Sequence, residues 1–334
     1  MGARSDWICA VDQLRRSVSV GMTSEQLAGM LYDSLRNKLM PLPDETIVYP
    51  AHGAGSACGK NLSRETSASL GSQKRSNWAL QPMDKERFVR ELCANQPHAP
   101  GYFAWSADYN RRERPMLEEV IERSMVAIPL ERALERQAGG ALLLDVREPG
   151  EYAQAHLAGS INVGLSGRYA GWVGTVVPQG VDLIVVAEPG SEHEALTRLA
   201  RIGYDTAIGY LEGGPRALAE RPDRVVGHRR VDCATLAAEL ASPTPPRVLD
   251  VRAPGEWEAG HIEGAQLLPL DALEARLDEV PRDRPIVVAC QGGYRSSIAA
   301  SLLERHGLRV SGDLIGGFSA WAAAGLPVAV PVAG

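Results

Sequence analysis

The sequence predicts an α/β protein whose second half carries two homologous domains in tandem, each an open parallel sheet with helices on both faces. Three observations predict it. A block recurs about a hundred residues along the chain: "LLLDVREPGEYAQAHLAGSINV" from Leu142 matches "RVLDVRAPGEWEAGHIEGAQLL" from Arg247. Short apolar runs alternate with stretches of helical spacing, the pattern of strands laid parallel through crossover helices. Runs such as Ile286 to Ala289 are β-branched and apolar on both faces, as strands of a doubly covered parallel sheet must be.

The elements follow in order. Residues 22–39 read as an amphipathic helix, with Thr23 and Gln26 as a capping box and Leu27, Leu31, Leu35 and Leu39 on one face. Residues 46–49 read as a strand, a Gly/Ser-rich loop follows, and residues 84–93 read as a second helix. In the repeats, Asp145, Arg147, Pro149, Gly150, Glu151, His156 and Gly159 align with Asp250, Arg252, Pro254, Gly255, Glu256, His261 and Gly264. "LIVVAEPG" from Leu183 matches "PIVVACQG" from Pro285. Residues 248–251 and 286–289 are expected strands. Residues 272–277 suit a short helix capped by Asp271, and residues 296–306 a longer one closed by Gly307. The expected segments are 1–21, unmatched; 22–115; a first repeat at 126–226; and a second at 227–334.

The chain has 334 residues, 45% hydrophobic and 23% charged, with a net charge of −6. That describes a globular protein with no pull toward nucleic acid or an anionic membrane. Cys9, Cys58, Cys93, Cys233 and Cys290 are odd in number, widely spaced and without a Cys-x-x-Cys. They suit free thiols in a reducing cytoplasm, not a disulfide framework or a zinc site. The N-terminus has no apolar signal core, and no apolar run approaches the ~20 residues that span a bilayer.

The chemistry is concentrated in "IVVACQGGYRSS", Ile286 to Ser297. A buried strand stops on Cys290 at the carboxyl end of the sheet, where open α/β sheets bind ligands. The thiolate is the reactive form, and a free cysteine has a pKa near ~8.5, so something must favour the anion. Gln291, Gly292, Gly293, Tyr294 and Ser296 form a loop and helix start whose amides can turn inward, glycine permitting the dihedrals. Arg295 adds a fixed charge and a planar fork. Such a loop suits a cysteine that carries an extra anionic sulfur.

Cys-x-x-Gly-x-Arg after a buried strand, "DVRAPGEWEAGHIEGA" upstream and "IGGFSAWAAAGLPV" downstream resemble the rhodanese domain. The downstream match rests on Gly316, Gly317, Trp321, Gly325 and Pro327. The resemblance implies a sulfurtransferase in which Cys290 takes sulfane sulfur, becomes a persulfide and passes the sulfur on. Arg295 and the loop amides would hold the donor. Asp250, Arg252, Glu256 and His261 are read as pinning the turn after the first strand. Cys290 aligns with Glu188 in the first repeat, whose loop "AEPGSEHEA" is two residues shorter and lacks the arginine, His193 lying nearest. That repeat is expected to be inactive, with a packing or docking role.

"LYDSLRNKLMPLPDETIVYPAHGAGSACGKNLSRE" resembles the C-terminal half of the metallo-β-lactamase-fold part of persulfide dioxygenase–rhodanese fusions. The order of that family is a metallo-hydrolase fold, an inactive rhodanese and an active one. Its iron-binding His-x-His-x-Asp-His cluster is absent here. His52 matches a histidine of the metal region but cannot hold a metal alone. Residues 1–21 do not resemble the family, which points to a truncated or frame-displaced N-terminus. Dioxygenase activity, a metal and a cofactor are therefore not expected. Cys58 stands where the family carries a cysteine and reads as an ordinary loop residue or a second persulfide-handling thiol. The expected partners are small sulfur-containing anions and thiols, with pairing as a homodimer or with a chain supplying the missing half-domain.

Two other readings are open. A Cys-loop phosphatase or arsenate reductase needs five residues between Cys and Arg, and only four separate Cys290 from Arg295. A relay protein would accept persulfide from a partner and turn over little on free molecules.

Overall fold

The structure, a computed structural model, describes residues 22–49, 66–94, 105, 109 and 111–330. His52, Cys58 and Cys9 lie outside the described residues. The chain divides into two compact units, Met1–Glu113 and Arg114–Gly334.

In the first unit the expected long helix forms as α1, Ser24–Ser34, with the Thr23/Gln26 capping box in place. It then widens into a π turn over Leu35–Leu39, where the Met40 amide reaches back five residues to the Leu35 carbonyl. Leu27, Leu31 and Leu35 are buried, as their spacing predicts. The strand β1, Ile47–Val48, pairs antiparallel with β2, Ala68–Ser69. Helices α2, Leu70–Ser76, and α3, Lys85–Cys93, follow, capped by Ser69 and Asp84. Phe88 centres this small core, with Trp78 stacked on it and Tyr32 edge-on.

The second unit holds the repeats. It opens with α4, Leu117–Ser124. The first repeat runs through β3, Ala127–Ile128; α5, Leu130–Ala138; β4, Leu142–Asp145; α6, Pro149–Gln154; β5, His156–Leu157; β6, Ile161–Asn162; α7, Tyr169–Val176; β7, Leu183–Val186; α8, Glu192–Ala200; and β8, Ala207–Leu211. The strand β9, Val225–Val226, pairs back on β5. The second repeat has β10, Arg230–Val231; α9, Cys233–Leu240; β11, Arg247–Asp250; α10, Pro254–Glu258; β12, His261–Ile262; β13, Gln266–Leu267; β14, Ile286–Ala289; α11, Tyr294–Arg305; β15, Val310–Leu314; α12, Gly317–Ala323; and β16, Val328–Ala329. The two five-stranded sheets have the same order, β3-β8-β7-β4-β6 and β10-β15-β14-β11-β13, with every neighbour parallel.

The central strands β7 and β14 are buried at every position. Each Val, Leu or Ile removed from water there contributes about 1.5–3 kcal/mol, enough to fix which strands lie in the middle. One core runs through both repeats: Leu144, Val163 and Leu196 of the first share it with Val288, Ile298 and Leu302 of the second. The helix α11 is the shared element. Eight consecutive residues, Ser296 to Leu303, are buried, because it lies between its own sheet and β6 of the other repeat.

Two expectations change. Residues 270–279 form 3-10 turns, Leu270–Ala272 and Glu274–Glu279, not an α-helix, and Asp271 lies inside the first turn without capping anything. A segment this short gains too few i to i+4 bonds to offset helix nucleation, so it tightens. The helix expected from Ser296 begins two residues earlier, at Tyr294, because Gly293 takes the left-handed N-cap position with φ of 93°.

Candidate active site

The strand β14 carries Cys290 to the carboxyl end of the sheet, between β11 and β15. Its side chain is 1% exposed. The amide of Gly293 donates to Cys290 Sγ at 3.1 Å. On the outer side, the carbonyls of Cys290 and Gln291 accept from the Phe318 and Ser319 amides at 2.7 and 3.0 Å. A trans peptide points its N–H opposite to its C=O, so the first turn of α12 holds the Gln291 and Gly292 amides facing away from α12. The sulfur is therefore more enclosed than a loop position suggests, while the Gly293 amide turns inward as expected.

The remaining predicted residues surround this sulfur unequally. Ser296 Oγ lies 3.6 Å from Sγ and donates to Asp313 Oδ2 at 3.2 Å. Arg295 does not present an empty fork: its two terminal nitrogens donate to the two carboxylate oxygens of Glu256, both at 2.7 Å. Burial pulls the Arg295 pKa down, and the Glu256 carboxylate raises it further than that. Glu256 was expected only to pin the turn. It does so, accepting the Ala253 amide at 3.0 Å, but its carboxylate also reaches across to the arginine. Gln291 turns outward, accepting from Arg252 at 3.0 Å and donating to Ser319 Oγ at 2.8 Å, so its side chain braces the loop. Tyr294 donates its hydroxyl to the Gly164 carbonyl of the first repeat at 2.6 Å, and burial raises its pKa. Gly292 is exposed, with nothing near the place of a Cβ.

The signature after the first strand is a brace in both repeats. Arg147 and Arg252 clasp Asp145 and Asp250 at 2.6 and 2.7 Å, and both pairs are buried. His156 and His261 sit alike, Nδ1 against the carbonyl four residues back and the ring stacked on Tyr152 or Trp257.

In the first repeat the counterpart of Cys290 is Ala187 and not Glu188, because Asp145 is in register with Val186 as Asp250 is with Ala289, and Ala187 is buried as Cys290 is. Glu188 is exposed in the loop, and His193 is exposed on the first turn of α8. The amide of Gly190 is taken by the carboxylate of Glu192 at 2.7 Å, an oxygen anion in the role that Sγ has in the second repeat. No thiol is available there.

One cluster escaped the sequence reading. Glu304 Oε1 lies 3.2 Å from His228 Nδ1, and Glu304 Oε2 lies 3.5 Å from His156 Nε2. His228 Nε2 lies 3.5 Å from Asp313 Oδ1, and Asp313 is also paired with Arg230 at 2.9 Å. Neither His228 nitrogen, nor Glu304 Oε2, makes a hydrogen bond, though all three atoms are buried. Burial pulls His228 down, but Asp313 and Glu304 push it up to about 9; Glu304, which burial would raise, is lowered to about 2 by the two imidazoles. The available signal was asymmetry between the repeats. Aligned through β3 and β10, His228 replaces Met125, and aligned through Gly203 and Gly307, Glu304 replaces Ala200.

The comparisons with known proteins agree with this architecture. A sulfurtransferase of Allochromatium vinosum is 36% identical over 101 residues, which are 30% of this chain and 94% of that one. The thiosulfate sulfurtransferase GlpE of Pseudoalteromonas translucida is 36% identical over 77 residues, 23% of this chain and 73% of that one. A crystal structure described as a metallo-β-lactamase from Staphylococcus aureus subsp. aureus COL matches with a TM-score of 0.51 and 26% identity. It covers 62% of this chain, which spans 58% of it. The first unit has 113 of the 334 residues, so that match takes in part of the repeats as well. The expected fold class, two rhodanese-like domains and a segment of metallo-β-lactamase kinship, agrees with these findings. The model of the rhodanese-like domain matches residues 130–220 and 233–324, more than half of the chain, which therefore belongs to the rhodanese-like family and carries the domain twice in tandem.

Proposed function

We propose that this chain is a sulfurtransferase working through Cys290. The observation that carries the reading is the Gly293 amide donating to Cys290 Sγ at the end of a buried strand, which stabilises negative charge on sulfur. The sulfurtransferase names of the relatives support it. The Cys290 thiolate attacks the outer sulfur of thiosulfate. A Cys–S–S bond forms, the S–S bond of the donor breaks, and its electron pair leaves with sulfite. In the second step a thiolate or cyanide attacks the terminal sulfur and returns Cys290 as the thiolate. A low-molecular-weight persulfide serves in the same way, its thiolate leaving in place of sulfite.

Ser296 can serve both states. Its hydroxyl accepts from the thiol while it donates to Asp313, and by rotating it donates to the thiolate. Arg295 binds the anionic donor after exchanging Glu256 for it. The metallo-β-lactamase neighbour supports kinship with persulfide dioxygenase–rhodanese fusions.

Cys290→Ser tests the proposal. It is expected to abolish sulfur transfer from thiosulfate to cyanide, and the unsubstituted protein incubated with thiosulfate is expected to carry an adduct of about 32 Da, one sulfur, on the peptide containing Cys290. Unchanged turnover in the variant would overturn it. Hydrolysis of a phosphate ester without sulfur transfer would favour the phosphatase reading. An adduct with negligible turnover on free donors would favour a relay.

A further inference from the structure

We propose that His156, His228 and Glu304 form a divalent metal site, of the zinc class, that clamps the first repeat and the inter-repeat linker onto the helix leading from Cys290. The three residues come from three places: β5 of the first repeat, the segment between β9 and β10, and the last turn of α11. One ligand atom from each lies within 4.8 Å of the others.

The spacing fits an ion. Bonds of about 2.0–2.1 Å in a tetrahedron place neighbouring ligand atoms about 3.3 Å apart, whereas an octahedron of the same size brings them to about 2.9 Å. Glu304 Oε1 lies 3.2 Å from His228 Nδ1 and Oε2 lies 3.5 Å from His156 Nε2, so the carboxylate faces each ring through a different oxygen, at about ligand-to-ligand distance and without a hydrogen bond to either. The His228 imidazole is 1% exposed and its Nδ1 makes no hydrogen bond, a costly arrangement unless something sits between it and the Glu304 carboxylate.

The outer partners set the tautomers. His156 Nδ1 lies 2.8 Å from the Tyr152 carbonyl, which can only accept, so the neutral ring has its Nε2 lone pair directed into the cluster. His228 Nε2 faces Asp313, so its Nδ1 is the ligand atom. A carbonyl behind one imidazole and a carboxylate behind the other are the outer partners that metal-binding histidines commonly have. Glu304 is 23% exposed, which leaves an entry route. The other occupant of this space is an imidazolium at His228 paired with both carboxylates, and it predicts no metal uptake.

The test uses the full chain, stripped with a chelator, dialysed against zinc and analysed for bound metal. One equivalent per chain is expected, retained in Cys290→Ser and lost in His156→Ala and in Glu304→Gln. Zinc should raise the melting temperature of the unsubstituted protein and leave that of Glu304→Gln unmoved. Should the histidine variant not fold, cobalt substitution of the unsubstituted chain decides. Visible bands of a tetrahedral nitrogen and oxygen site support the proposal. A sulfur-to-cobalt charge-transfer band, no uptake at all, or equal uptake by Glu304→Gln overturns it.

Discussion

Arg295 and Glu256 are joined by two hydrogen bonds of 2.7 Å across 39 residues of sequence. The pair sits beside the sulfur and competes with any anion for the guanidinium fork. Glu256→Gln should therefore lower KM for thiosulfate severalfold. Arg295→Ala should cut kcat/KM by about 10- to 100-fold, the equivalent of a hydrogen bond to a charge worth about 1.5–3 kcal/mol. Steady-state kinetics with thiosulfate and with an uncharged sulfane-sulfur donor separates the effects, since only the charged donor should respond to Glu256→Gln.

The same pair gives stability a pH dependence. Burial raises the Glu256 pKa, but Arg295 and the Ala253 amide bring it below its ordinary 4.5. A carboxyl whose pKa is depressed on folding stabilises fully above its unfolded value, and that contribution is lost as pH falls through the folded one. Denaturant unfolding between neutral pH and acid should show a loss below about 4.5 that Glu256→Gln reduces, with a cost near neutrality of about 1 kcal/mol.

Much of this was legible in the sequence because it is local. Ile286 to Ala289 could only be a buried strand, and Cys290 to Arg295 could only be a loop opening a helix. The repeat itself supplied the two-domain organisation, while the strand order came only with the structure. What was not legible is pairing at long range. The Glu256 carboxylate looked sufficient as a turn brace, and nothing nearby in the chain says that Arg295 would meet it. Likewise Tyr294 finds its acceptor 130 residues away, and His156, His228 and Glu304 lie 72 and 76 residues apart along the chain. Such contacts follow from which face α11 turns to β6, and that is set by the shared core, not by any motif.

Tyr294 ties the active loop to the first repeat, and Gly167 makes room for it. A Cβ built on Gly167 falls inside the Tyr294 ring, although the backbone there is open to any residue. Gly167→Ala should displace the ring and destabilise the protein by about 1–3 kcal/mol, as overpacking does. Tyr294→Phe should cost about 1 kcal/mol for the lost hydrogen bond. Unfolding curves of Gly167→Ala, Tyr294→Ala and the double variant should reveal coupling: in the Tyr294→Ala background the alanine at 167 should be nearly neutral.

Gly317 holds the outer side of the loop. Its φ is 56°, and a Cβ there would collide with the Cys290 carbonyl. That carbonyl must stay where the Phe318 amide receives it if the loop amides are to keep their orientation. Gly317→Ala combines a left-handed alanine, which costs about 1–2 kcal/mol, with a backbone clash that only movement of α12 or the loop relieves. The expected result is a loss of about 3 kcal/mol or more in denaturant unfolding, with sulfur transfer falling further than Gly325→Ala causes, since Gly325 has positive φ of 68° but open space around it.

The first repeat tests whether a thiol at the strand end is enough. Ala187→Cys, placed in a Cys290→Ser background, puts sulfur at the position that the strand register matches to Cys290. Yet Gly190, whose φ of 98° makes it the nearest match to Gly293, already gives its amide to Glu192, and no arginine follows in the loop. The new thiol would meet a carboxylate where Cys290 meets an N–H, so its anion would be opposed and not stabilised. Transfer from thiosulfate should stay at the level of Cys290→Ser alone. Adding Glu192→Ala to free the amide should still fall well short of the native rate, because the donor anion lacks a counter-charge. If Ala187→Cys by itself restored turnover, strand position would matter and the amide and arginine around Cys290 would not.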